Sequence, residues 1–202
     1  MKKVKICGIT DEKEVLYVNE AKPDYMGMVL FFPKSKRNIS IEKAKTLMDK
    51  LDKNIIPVAV VVKPGKEEVS AIENAGFGAI QIHGDVDDEL LNDITIPVIK
   101  AFNVSDLSGF ERYQKSDKVI GYIFDAQLPG SGKNFDWKVL DKIPRDNKMA
   151  LLAGGLTPEN VAAALSETHL DGADTSSGVE NDNGIGKSRE KILEFVQKVR
   201  EV

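Results

Sequence analysis

One cysteine and one aspartate each close a short apolar run, and together they could move protons on a small metabolite. Cys7 ends the run Val4 to Cys7, and Asp125 follows the run Val119 to Phe124. If both runs are parallel strands of one closed barrel, thiol and carboxyl project into the same mouth as a base and an acid. Each residue also has a plainer reading. A lone cysteine behaves as a small buried hydrophobe, and an aspartate at a strand end often serves only as a cap or turn residue. Period-two alternation puts Lys5 on the face of Cys7, one layer deeper, where an ammonium would favour thiolate over thiol. Asp174, near the end of a later apolar run, is a partner for Lys5 if it too points inward. His83, at the end of the segment QIH, is either a binding group in the mouth or an imidazole bonded to its own loop. One cysteine and two histidines, His83 and His169, argue against a conventional zinc site, so no metal is expected.

These groups need elements to hold them. Apolar runs suited to strands occur at Val4 to Cys7, Tyr25 to Leu30, Ile56 to Val62, Ala79 to His83, Pro97 to Phe102, Val119 to Phe124, Met149 to Ala153 and Gly172 to Thr175. Helical periodicity fills the intervals: Asp11 to Ala21, Ile41 to Leu51, Lys66 to Ala75, Asp87 to Ile94, Asp106 to Tyr113, Trp137 to Lys142, Pro158 to Leu165 and Ser188 to Val202. Thr157 before Pro158, Ser40 before the second helix, and Asp136 after apolar Phe135 read as N-caps. Strand and helix alternate at about 25 residues per unit, which predicts an α/β fold with a parallel sheet: a (β/α)8 barrel, one domain over 1–202. A doubly wound open sheet would carry a Gly-rich fingerprint after its first strand, and Cys7-Gly8-Ile9-Thr10 is not one.

In such a barrel the C-terminal strand ends carry the chemistry, and strands one and six face each other across the opening. Gly154 and Gly155 follow the seventh strand, and Ser176, Ser177 and Gly178 follow the eighth. Barrels often bind phosphate there through backbone N–H groups; the alternative is that these glycines only permit tight turns. A phosphorylated substrate is the working assumption. The segment 126–134, AQLPGSGKN, is long enough to act as a lid over Asp125, and its GSGK lacks the spacing of a nucleotide phosphate loop because Asn134 follows Lys133. Arg37 in FFPKSKRNIS could grip a carboxylate through a two-pronged contact, whereas Lys34 and Lys36 read as solvated charges.

Composition sets the outer limits. The 202 residues are 42% hydrophobic with no apolar stretch long enough to span a bilayer, so a globular protein away from membranes is expected. The start MKKVKICGIT lacks the apolar region of a secretory signal, and a single cysteine forms no internal disulfide; a cytoplasmic location follows. A net charge of −4 and a pI near 5.4 give no case for nucleic acid.

The motifs KICGIT, GMVLFFPKSKRNIS, QIHGD, Phe124-Asp125-Ala126 followed by GSGKNFDW, LLAGGLTPENV and GADTSSGVE, in that order along nearly the whole chain, resemble phosphoribosylanthranilate isomerase. The resemblance implies an Amadori rearrangement in tryptophan biosynthesis: N-(5-phosphoribosyl)anthranilate becomes 1-(2-carboxyphenylamino)-1-deoxyribulose 5-phosphate, without metal or organic cofactor. It implies Asp125 as the general acid that opens the furanose and Cys7 as the general base at C2. Arg37 would hold the anthranilate carboxylate, and Gly154, Gly155, Ser177 and Gly178 the phosphate. Departures from the family pattern are local: Ser188 stands after Lys187 where aspartate is common, and Lys36 where proline is frequent. A related sugar-phosphate epimerase or indole-forming synthase would share the phosphate glycines but not the Cys7 and Asp125 arrangement. A noncatalytic binder of phosphorylated metabolites would tolerate loss of both. Monomer and homodimer are both open.

Overall fold

The computed structural model describes residues 1–125 and 146–202. Eight strands form the ring: β1 (Lys3–Cys7), β2 (Tyr25–Leu30), β3 (Ile56–Val62), β4 (Ala79–His83), β5 (Val98–Asn103), β6 (Val119–Asp125), β7 (Met149–Ala153) and β8 (Gly172–Thr175). All pair in parallel with their sequence neighbours, and β1 pairs with both β2 and β8, which closes the sheet into a barrel. A two-residue strand, Asn38–Ile39, extends the β2 edge beyond Val29 and Leu30.

The strands are nearly continuous apolar runs because both of their faces are covered. Inside the barrel lie Tyr25, Val58, Val60, Ala79, Ile99, Ala101, Ile123 and Leu151, stacked below Cys7 and Ala153. Outside, residues of the opposite parity, among them Val4, Ile6, Met26, Met28, Ile80, Ile82 and Phe124, pack against the helices in a larger core. Phe102, Phe110, Tyr113, Tyr122 and Phe124 form an aromatic cluster on one flank of that layer.

Seven α-helices occur among the described residues: α1 (Glu12–Ala21), α2 (Ile41–Met48), α3 (Lys66–Ala75), α4 (Asp88–Asp93), α5 (Phe110–Lys115), α6 (Val161–Thr168) and α7 (Arg189–Arg200). Ser40 and Ser188 cap α2 and α7 as their positions suggest, each accepting a backbone N–H three residues on. Three expectations shift. The end of α2 tightens into i→i+3 bonds, Lys50 N to Leu47 O and Leu51 N to Met48 O, so the helix stops at Met48 rather than Leu51. Asp106 does not start α5: its carboxylate accepts the Ser108 N–H at 3.0 Å, a local turn that competes with helix, and α5 begins after Gly109. Thr157 likewise does not cap α6. Asn160 Oδ1 accepts the Thr157 N–H at 2.8 Å, fixing a turn over Pro158 to Asn160 before the helix starts at Val161. The proposed lid at 126–134, the Asp136 cap and the helix Trp137 to Lys142 lie outside the described residues.

Candidate active site

Cys7 and Asp125, the last residues of β1 and β6, line one cavity of about 250 Å³ at the C-terminal mouth of the barrel. Three strand steps, through β8 and β7, separate β1 from β6 in the ring, so the sulfur and the carboxyl come from different sides of the opening. Arg37, His83, Gly154, Gly155 and Ser177 line the same space, together with Gln81, Asp174, Thr175 and Ser176. Of the site residues read from the sequence, Gly178 alone is not on the cavity wall. It sits behind it, in the short 3-10 turn Ser177–Val179, where a Cβ would collide with the Leu156 carbonyl. Gly154 and Gly155 have φ of 97° and 66°, left-handed backbone that turns the chain sharply at the end of β7.

The floor of the site is charged and buried. Lys5, fully buried one layer beneath Cys7, donates to Asp174 Oδ1 at 3.0 Å, because β1 and β8 pair in a register that sets these two residues side by side. Burial pulls the lysine pKa down, but Asp174 and the Cys7 sulfur outweigh it, so the pKa is raised and the ammonium persists. A second lysine approaches from the loop after β8. Lys187 is 4% exposed; its Nζ donates to Ser176 O at 2.8 Å and Ser176 Oγ at 3.2 Å. Burial lowers its pKa against the opposing pull of Cys7 and Glu180.

Arg37 is held by a carboxylate that sequence reasoning did not single out. Glu180 Oε1 accepts from Arg37 Nε at 2.7 Å and lies 2.6 Å from its NH2 group, while Oε2 accepts from Lys36 Nζ at 2.8 Å. Lys36 is therefore not merely solvated: it ties the loop after β2 to the loop after β8, also reaching Gly184 O at 3.0 Å. The α1 helix anchors the same β8 loop, since Glu14 accepts the Lys187 backbone N–H at 2.8 Å while closing its own capping box.

His83 lines the cavity and also bonds within its own strand. Its Nε2 lies 2.8 Å from Gln81 Nε2, two residues back on the same inward face of β4. Burial, with Lys5 and Lys100 nearby, lowers the imidazole pKa to about 4, so the ring is neutral at physiological pH and Nε2 is the acceptor. The signal for Gln81 was available in the sequence as the same period-two spacing that links Lys5 to Cys7. Among the described residues no group of three or more His, Cys, Asp or Glu side chains is placed to share a metal ion, and no helix is long and apolar enough to cross a membrane.

A family model described as N-(5'-phosphoribosyl)anthranilate (PRA) isomerase matches residues 4–198. An N-(5'-phosphoribosyl)anthranilate isomerase of Streptococcus gordonii is 39% identical over 206 residues, covering 100% of this chain and 99% of the relative. The crystal structure of phosphoribosyl anthranilate isomerase from Thermotoga maritima superposes with a TM-score of 0.85 at 34% identity over 100% of both chains. A structure of such an isomerase in complex with reduced 1-(o-carboxyphenylamino)-1-deoxyribulose 5-phosphate gives 0.81 at 32% identity, again over 100% of both chains. With a barrel of this topology, a shared cavity under Cys7 and Asp125, and likeness along its full length, the chain belongs to the N-(5'-phosphoribosyl)anthranilate isomerase family.

Proposed function

We propose that Cys7 and Asp125 are the general base and general acid of the isomerisation that defines this family. The enzyme converts N-(5'-phosphoribosyl)anthranilate into 1-(o-carboxyphenylamino)-1-deoxyribulose 5-phosphate, a step of tryptophan biosynthesis. The observation that carries the assignment is the convergence of one thiol and one strand-end carboxyl on a single cavity.

The reaction needs an acid first. Asp125 protonates the furanose ring oxygen, the C1–O bond breaks, and the anthranilate nitrogen takes up the positive charge as an iminium. That charge acidifies the neighbouring C2–H, so a modest base is enough. Cys7 removes the proton, and the resulting enolamine tautomerises to the ketone. The buried ammonium of Lys5 beneath the sulfur stabilises negative charge there, as does Lys187 from the other side. Arg37, preset by Glu180, takes the anthranilate carboxylate through its remaining N–H groups. Backbone N–H groups around Gly154, Gly155 and Ser177, backed by the turn that Gly178 permits, take the phosphate.

The same reading makes the protein a single barrel unit over 1–202, working in the cytoplasm on a small phosphorylated metabolite and not on nucleic acid. The test is kinetic. Cys7→Ala and Asp125→Asn should each lower kcat by a factor on the order of 10² to 10⁴ with little change in KM, followed as loss of phosphoribosylanthranilate fluorescence. Turnover that survives in both variants would remove the assignment.

A further inference from the structure

We infer that Gln81 holds the hydroxyl on the reacting carbon of the substrate, C2 of the sugar, and thereby aims the C2–H at Cys7; this rests on the function proposed above. Gln81 is 2% exposed, yet its side chain lines the cavity that contains Cys7 and Asp125. Its amide nitrogen is engaged by the neutral His83 ring at 2.8 Å. Its amide oxygen is buried and, among the described residues, accepts no hydrogen bond; it is the one such side-chain atom there. A buried carbonyl without a donor is disfavoured, so a ligand that brings a donor to this point is selected.

The chemistry of the free end says which part of the substrate belongs there. A phosphate dianion and a carboxylate are acceptors only and would face the amide oxygen lone pair to lone pair. A hydroxyl donates. It would serve equally if the amide were turned over, because a hydroxyl also accepts. The two charged ends of the substrate therefore go elsewhere, to Arg37 and to the β7 and β8 loops, and the sugar hydroxyls lie over β4. Gln81 and Cys7 stand three strands apart in the ring, on different walls. At a tetrahedral carbon, anchoring the oxygen to one wall leaves the hydrogen to point toward another, and this is the geometry that proton removal by the sulfur requires.

The hydrogen bond disappears with the reaction. When C2 becomes a ketone it has no proton to donate to Gln81, whereas the reduced product regains one as an alcohol. Wild-type protein should bind the reduced product more tightly than the ketone by a factor on the order of tenfold, measured by calorimetry. In Gln81→Met, of similar size and without the acceptor, that preference should fall to about one, with inorganic phosphate binding retained as proof of folding. For wild-type protein alone, the reduced product made without its C2 hydroxyl should bind on the order of tenfold more weakly than the alcohol. An unchanged preference in Gln81→Met, or equal affinity for alcohol and deoxy compound, overturns the role of Gln81 while leaving the isomerase reading intact. Failure of wild-type protein to bind any of these compounds would instead overturn the isomerase reading.

Discussion

Lys5 and Asp174 form an ion pair at 3.0 Å inside the barrel, with the lysine side chain fully buried and the aspartate nearly so. Taking two charges out of water is costly: burial raises the Asp174 pKa even beside Lys5, and the attraction between the two groups offsets part of the penalty. Removing the carboxylate alone strands the ammonium. Asp174→Asn should therefore lower the unfolding free energy by about 3–5 kcal/mol, read from urea titration. Lys5→Met should cost less, since the remaining carboxyl can take up a proton and become neutral. Equal losses in the two variants would show that packing, not stranded charge, sets the cost.

The imidazole of His83 gives stability a defined pH dependence. Its pKa falls from an ordinary 6.5 to about 4 in the folded protein, so between those values the unfolded chain binds more protons. Stability from this group is present above pH 6.5 and is lost as pH falls toward 4. The loss is at most roughly 3 kcal/mol, because the ring borders an open cavity. His83→Gln should flatten the profile in that window. A variant with the same acid limb as wild type would assign the dependence to other groups.

Lys100 presents the opposite case of a buried charge without a close carboxylate. It is 4% exposed, donates to Ala101 O at 2.6 Å, and lies 4.3 Å from the Phe102 ring centroid and 4.9 Å from that of Tyr113. Burial lowers its pKa from 10.5 to about 8. The unfolded chain holds more protons between those values, so stability rises with pH across that range. Lys100→Met should raise neutral-pH stability by about 1–2 kcal/mol, less than the charge alone implies because the two rings and the carbonyl already compensate part of it. The variant should also lose the rise above pH 8. Thermal unfolding of both proteins at pH 7 and pH 10 gives the comparison.

Glu180 sets the position of Arg37, so its loss should be felt in substrate binding. Glu180→Ala frees the guanidinium, releases Lys36 and removes a neighbour of Lys187. KM should rise on the order of tenfold while kcat changes less, since proton transfer at Cys7 and Asp125 does not pass through this residue. A fall in kcat with constant KM would place Glu180 in the proton-transfer machinery instead.

The barrel strands were the most legible part of the chain. Tyr25–Leu30, Ile56–Val62 and Ala79–His83 match their apolar runs residue for residue, because strands covered on both faces cannot tolerate polar interruption except where the barrel interior supplies a partner. Helix starts were less legible. At Asp106 and Thr157 the right residue types were present, but short side chains made local turns, and periodicity does not register that competition. In the site, strand-end positions exposed Cys7 and Asp125, and alternation exposed the Lys5 and Asp174 pair. Glu180 stayed hidden since its partner Arg37 is 143 residues away, and nothing local marks a carboxylate as belonging to a distant guanidinium. Gln81 carried a weaker mark, its period-two spacing from His83, which alternation alone does not separate from an ordinary polar residue.

Closure of the sheet by β1 between β2 and β8 couples segments that lie far apart along the chain. During synthesis β1, with Lys5 and Cys7, precedes β8, and one of its edges stays open until β8 is made. Until then Lys5 has no counter-ion and the barrel has no wall for the cavity. A nascent or truncated chain lacking Gly172–Thr175 would present two bare edges and an uncompensated ammonium, making it a substrate for chaperones and proteases instead of a partial enzyme. The wall of the cavity and the charge balance of Lys5 thus both wait on β8.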